Sequence, residues 1–175
     1  MIPIRSLLVA AFLVFAGAAS AADDVKHELG AYVVYLPAEA NFAQVVERVQ
    51  DEILAQNWEV IKVQDIDDGL RENHNIDVQN KLILACKSQY LAQAIQFNPD
   101  VSMIIPCRIA VYRVGSAGQA VSGDPELCAG GKIIVGFSDP VEEAKRLGIT
   151  GSGAVEVAAK ELQAVLQAVA DHYKK

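Results

Sequence analysis

The chain has 175 residues, 52% of them hydrophobic, and a formal net charge of −7. That is enough apolar material for one domain with its own core, so disulfides would be helpful rather than obligatory. The acidic balance excludes nucleic acid and anionic membrane surfaces as default partners.

Met1 to Ala21 has the three parts of an export signal. Arg5 is the positive n-region, Leu7 to Phe15 the apolar run, and Ala19-Ser20-Ala21 the small-x-small cleavage site. A membrane-spanning helix needs about 20 apolar residues, and this run is too short. We therefore expect a mature start at Ala22 or Asp23, and a periplasmic product free of the membrane once the signal is removed. Losing Arg5 leaves 14 basic and 22 acidic residues, a net charge of −8. A single domain is expected over residues 22–175.

Ala31 to Leu36 reads as a first strand, ended by Pro37. Asn41 with Gln44 forms a capping box, and Phe42, Val45, Val46, Val49 and Ile53 follow at helical spacing. Asn57 suits a left-handed stop, and Trp58 to Val63 alternates like a half-buried strand. Residues 65–80 are polar with no sustained period. Lys81 to Ala85 is a strand leading into Cys86, and Ser88 is placed to cap a short helix that ends at Asn98-Pro99. Met103 to Tyr112 is the most apolar strand, with Pro106 near its start or on an edge. After a turn at Gly115 to Gly118, Gln119 to Ser122 is a weak strand, and Cys128 falls in a loop. Lys132 to Phe137 reads as the last strand. Asp139, Pro140 and Glu142 then start a short helix that stops at Gly148. From about residue 153 to 173 a long helix carries the stripe Val155, Ala158, Leu162, Val165, Leu166 and Val169. The order predicts an α+β domain, a mainly antiparallel sheet with helices packed on one face.

Residues 40–140 resemble the DUF302 family. The resemblance rests on FAQVVERVQDEILAQNWEVIKV, on LILACKSQYLAQAI and on IIPCRIAVYRVGSAG, followed by a further strand and Asp-Pro. It implies a compact domain in β-α-β(n)-α order with a TBP-like layout, and no settled activity. Asn57 stands where family members usually have Gly, and Lys87-Ser88 where they usually have Asn-Pro. Asn tolerates the left-handed conformation, so the fold is not endangered.

Three cysteines in an oxidising compartment leave at least one unpaired within a molecule. Cys86 closes one strand and Cys107 opens the next. If the strands are antiparallel neighbours, as the resemblance implies, the sulfurs lie close. A parallel crossover would hold them about 15 Å apart, beyond the roughly 7 Å Cα separation that a disulfide spans. A Cys86–Cys107 bridge, two buried thiols and a redox- or ligand-binding pair all remain open. Cys128 is then the free or intermolecular thiol. His74 is a weak metal or haem candidate beside Cys86 or Cys107. Arg108 is an anion-binding candidate whose plainer role is an ion pair with an acid. There is no Cys-x-x-Cys, phosphate loop or catalytic triad. No cofactor is expected. The residues point to a non-catalytic binding or assembly domain, a homodimer with a sheet face or groove for a small hydrophobic ligand. The rival is a redox or metal-binding protein using Cys86 and Cys107.

Overall fold

Among the described residues, six strands form one sheet in which every neighbouring pair is antiparallel. The computed structural model describes residues 24–174, so the expected export signal lies outside the described residues. The strands are β1 (Lys26–Glu28), β2 (Ala31–Pro37), β3 (Glu59–Asp65), β4 (Asn80–Cys86), β5 (Cys107–Val114) and β6 (Lys132–Ser138), in the spatial order β1-β2-β6-β5-β4-β3. The last strand in sequence therefore lies in the middle. There it pairs with β2 through Val34↔Val135 and with β5 through Val111↔Val135.

Strand alternation sends one set of side chains to each face. Val34, Leu36, Ile83, Ala85, Ile109, Val111, Ile133, Val135 and Phe137 point inward and pack against α1 (Phe42–Ala55) and α6 (Gly153–His172). The five α1 residues expected to face the core are the five that are buried, and the whole expected α6 stripe is buried with them. The Asn41 carboxamide oxygen accepts from Gln44 N at 3.1 Å, and Asn57 sits at φ 57, so the start and stop of α1 follow from those two residues. A smaller apolar cluster joins α3 (Ser88–Phe97), α5 (Pro140–Arg146) and the start of α6 through Ala94, Val101, Ile104, Ala144, Ile149 and Val155. The opposite face of the sheet carries Val33, Tyr35, Leu82, Leu84, Ala110, Tyr112 and Ile134, while α1 and α6 cover the inward face. Among the described residues no helix is long and apolar enough to cross a membrane.

The local structure departs from expectation in several places. Residues 65–80 contain a helix, α2 (Ile66–His74), closed by Asn75 at φ 54. Its polar sequence hides it, because one buried aspartate anchors it in place of an apolar stripe. The strand expected from Met103 begins only at Cys107, since Pro99–Met103 winds into a 3₁₀ turn that buries Val101. Ser88 is the first helical residue of α3 rather than its cap. Gln119 to Ser122 contributes only the isolated bridge Ala120↔Val114. Cys128 ends a single helical turn, α4 (Pro125–Cys128), and β1 forms at a three-residue stretch too short to register as a strand in sequence.

Candidate functional site

An open cleft of about 820 Å³ lies at the end of the sheet where β2, β3 and β5 finish and β4 begins. Its walls come from the start of α1, from α2, and from the turn around α4. Lys81 enters from β4 and donates to Asp65 at 2.7 Å and Asp67 at 2.8 Å. Burial pulls Lys81 toward its neutral form, but these two carboxylates outweigh it and hold its pKa above the ordinary lysine value. Buried Asp67 also accepts from Asp68 N and Asn80 N, which anchors α2 to β4. Arg71 pairs with Asp68 at the rim.

Arg113 is different. It is 6% exposed, and its Nε donates to Gln79 Oε1 at 2.6 Å. Its two terminal nitrogens donate to the carbonyls of Ala38 and of Ala40, the latter at 2.9 Å. All three acceptors are neutral. Among the described residues no carboxylate pairs with Arg113, which lines the cleft with two of its five N–H groups uncommitted. A buried cation without an anionic partner is costly, so the cleft has a standing preference for negative charge at that point. Sequence reasoning missed Arg113. The signal was its phase: residues 109, 111 and 113 alternate inward, so the arginine continues the same face as Ile109 and Val111.

Cys86 and Cys107 lie elsewhere, and the condition set for them is met in part. β4 and β5 are antiparallel neighbours, yet the register pairs Ala85, not Cys86, with Cys107. Both nevertheless line one apolar pocket together with Trp58, Tyr90 and Ala158, and both are free thiols in the structure. Burial, then the neighbouring Cys86 and Glu143, pushes the Cys107 thiol up to about 12, with Arg108 opposing weakly. Cys86 is raised by burial and by Glu59. Beside them Glu161 of α6 accepts from Trp58 Nε1 at 2.8 Å, Lys87 Nζ at 2.8 Å and the Tyr90 hydroxyl at 2.5 Å. Burial pushes Glu161 up, but these three donors outweigh it and hold the carboxyl below its ordinary range.

The other expected residues are dispersed. Cys128 is a buried thiol that lines the cleft and donates to Ser122 O at 3.2 Å, a poor position for bridging two chains. Arg108 is exposed on the outer face and lies 3.9 Å from Glu143, so its plainer role as an ion-pair partner is the one the geometry offers. His74 closes α2, which leaves the sheet at the Asp65 end of the β3–β4 ladder, and Cys86 lies at the Glu59 end. Seven strand residues at about 3.3 Å each separate those ends, so His74 does not join the cysteines.

A fully antiparallel sheet with helices on one face and a polar cleft at one end defines a two-layer α+β domain. The chain belongs to the DUF302 family, whose model, described as a domain of unknown function, matches residues 34–172 and so runs through α6. The solved structures include a similar one, the uncharacterized conserved protein DUF302 from Bacillus stearothermophilus, with a TM-score of 0.66 at 16% identity. The alignment covers 81% of this chain and 99% of that one. No curated protein matches this chain.

Proposed function

We propose that the protein is an exported, periplasmic, non-catalytic binding domain, and that its ligand is a small molecule carrying a carboxylate or similar anionic group seated on Arg113. The carrying observation is the cleft of about 820 Å³ with a buried guanidinium matched only by neutral acceptors, while Lys81 and Arg71 each have their own acids. A planar guanidinium favours a carboxylate through paired N–H donors. The charged side chains in this lining favour an anionic ligand over the small hydrophobic one expected from the apolar strands. The test is ¹⁵N–¹H NMR of the purified protein titrated with acetate, with n-butylammonium as the opposite-charge control. Saturable shifts at Arg113 Nε–H and at the amides of Phe42 and Ala43 with acetate alone support the reading. Absence of shifts at tens of millimolar acetate, or equal shifts with the cation, overturns it.

A second reading, self-association into a homodimer, is favoured by the helix-free face of the sheet. Five strands of seven or eight residues, about 4.8 Å apart at about 3.3 Å per residue, with the three-residue β1 beside them, present roughly 600 Å² per copy, and two such faces reach the lower limit of a stable interface. Sedimentation of the wild type and of Tyr112→Glu, which puts a charge at the middle of that face, tests it. A monomer in both sinks this second reading. The redox or haem alternative has less support, because raised thiol pKa values disfavour thiolate chemistry at Cys86 and Cys107.

A further inference from the structure

At the far corner of the sheet from the cleft, three side chains from three segments converge. His27 comes from β1, Asp139 from the β6–α5 junction, and Glu142 from the first turn of α5. The His27 Nε2 lies 3.2 Å from Asp139 Oδ2 and 3.9 Å from Glu142 Oε1, and all three ligand atoms fall within 4.8 Å of one another. We propose that these residues form a binding site for a single divalent transition-metal ion of the Zn²⁺ type.

The geometry carries the proposal. Zinc–nitrogen and zinc–oxygen bonds of about 2.0–2.2 Å in a tetrahedron place neighbouring ligand atoms roughly 3.4 Å apart, close to the two separations measured. An ordinary rotamer adjustment of partly exposed Glu142 closes the difference. Asp139 is held for the task. Its side chain is more than nine-tenths buried, and Oδ1 accepts from Val141 N at 2.8 Å and Glu142 N at 3.4 Å, which leaves Oδ2 toward His27. Tyr32 flanks the site, its ring packed against His27 with centroids 4.6 Å apart at a 46° tilt, which limits the motion of that imidazole. Glycine at position 30, with φ 73 in the β1–β2 turn, leaves the room that Glu142 uses. A Cβ there would stand 2.8 Å from Glu142 Oε2. The nearest opposing cation, Arg146, touches only that outer oxygen, at 3.6 Å.

The donor set selects the ion. One imidazole with two carboxylates suits zinc-like metals, whereas Mg²⁺ asks for oxygen ligands alone in octahedral geometry. Three protein ligands leave a fourth position for water, so the site is open and exchangeable. Its structural effect follows from where the ligands sit. β1 is a three-residue edge strand whose ladder is to β2 alone, and a bound ion would fasten it to the β6–α5 junction. Metal occupancy would thus set how firmly the first strand is held.

The experiment is calorimetric titration of the EDTA-stripped protein with ZnCl₂, alongside His27→Ala, Glu142→Gln and the triple Cys86→Ser/Cys107→Ser/Cys128→Ser variant. The expected result is one Zn²⁺ per chain at micromolar affinity. His27→Ala and Glu142→Gln should each weaken it at least about tenfold, while the cysteine-free variant binds like the wild type. Hydrogen exchange supplies a second readout, since Zn²⁺ should slow exchange in Lys26–Glu28 of the wild type and not of His27→Ala. Unchanged Zn²⁺ affinity in His27→Ala, loss of binding in the cysteine-free variant, or no stoichiometric binding by the wild type below 100 µM metal would each overturn the proposal.

Discussion

Replacing Glu161 with alanine should cost the fold more than any other single polar substitution on α6. Glu161 is the acceptor shared by Trp58, Lys87 and Tyr90, and these groups come from the start of β3, the end of β4 and α3. Their fates on truncation differ. Lys87 keeps its 3.0 Å bond to Gln56 O, and the Tyr90 hydroxyl can turn to water. Trp58 is 3% exposed, so its indole N–H would be left buried without an acceptor. An unmet buried donor costs about 1–3 kcal/mol, and two lost charge-assisted bonds that water partly replaces add about 1 kcal/mol, giving about 2–4 kcal/mol in all. For a domain of this size that is a fall in Tm of roughly 5–15 °C. Glu161→Gln keeps one oxygen for Trp58 and should cost about half as much. Urea unfolding followed by far-UV circular dichroism measures both, and Trp58→Phe in the Glu161→Ala background should recover part of the loss. The pH dependence has a definite sign. A carboxyl held below its ordinary range stabilises the fold above the unfolded value of 4.5, and that contribution is lost as the pH falls through the lower, folded value. Lys87, raised by Glu161, gives the mirror image: its contribution is full below 10.5 and lost as the pH rises beyond that. Both slopes should flatten in Glu161→Ala. A variant within about 0.5 kcal/mol of wild type, or one with the wild-type acid slope, would refute the reasoning.

Three further outcomes are expected. Asn57→Gly should stabilise by about 0.5 kcal/mol, because glycine adopts the left-handed conformation at φ 57 without a Cβ penalty; a destabilised variant in denaturant titration would contradict this. Gly136→Ala should cost about 1–3 kcal/mol, since its Cβ would stand 2.7 Å from both Tyr32 O and Val33 Cγ1 in the centre of the sheet, and a wild-type Tm would show that β2 gives way. With its pKa pushed up to about 12, Cys107 should resist iodoacetamide at pH 8 in the native protein and react on unfolding, as peptide mass spectrometry would reveal; rapid native labelling would sink the burial account.

The elements that follow from short-range chemistry were legible in the sequence. α1 and α6 show their buried stripes directly, and Asn41, Asn57, Asp139 and Gly148 mark ends that the backbone respects. α2 was illegible because its only buried residue is an aspartate whose reason for burial, Lys81, lies on another element. The cleft was illegible for a similar reason. Arg113 meets Ala38 and Ala40 across more than 70 residues, and no local pattern encodes that meeting. Cys86 and Cys107 lie on neighbouring antiparallel strands, the arrangement the resemblance implied, but a one-residue offset in register, which local sequence does not encode, sets Ala85 rather than Cys86 opposite Cys107. His27 carries no local signal, since Asp139 and Glu142 reach it only through the order in which strands join the sheet.

That order governs how the molecule can be made. β2 must wait for β6, a hundred residues downstream in the Val34↔Val135 pairing, before its inner edge finds a neighbour. Until then the chain holds two separate pieces, a β1–β2 hairpin and a β3–β4–β5 meander, with no backbone pairing between them. Closing so long a loop late makes folding slow and keeps the nascent chain pliable. A stop codon between the end of β5 and Lys132 would therefore yield not a smaller version of this domain but two half-sheets with no shared seam.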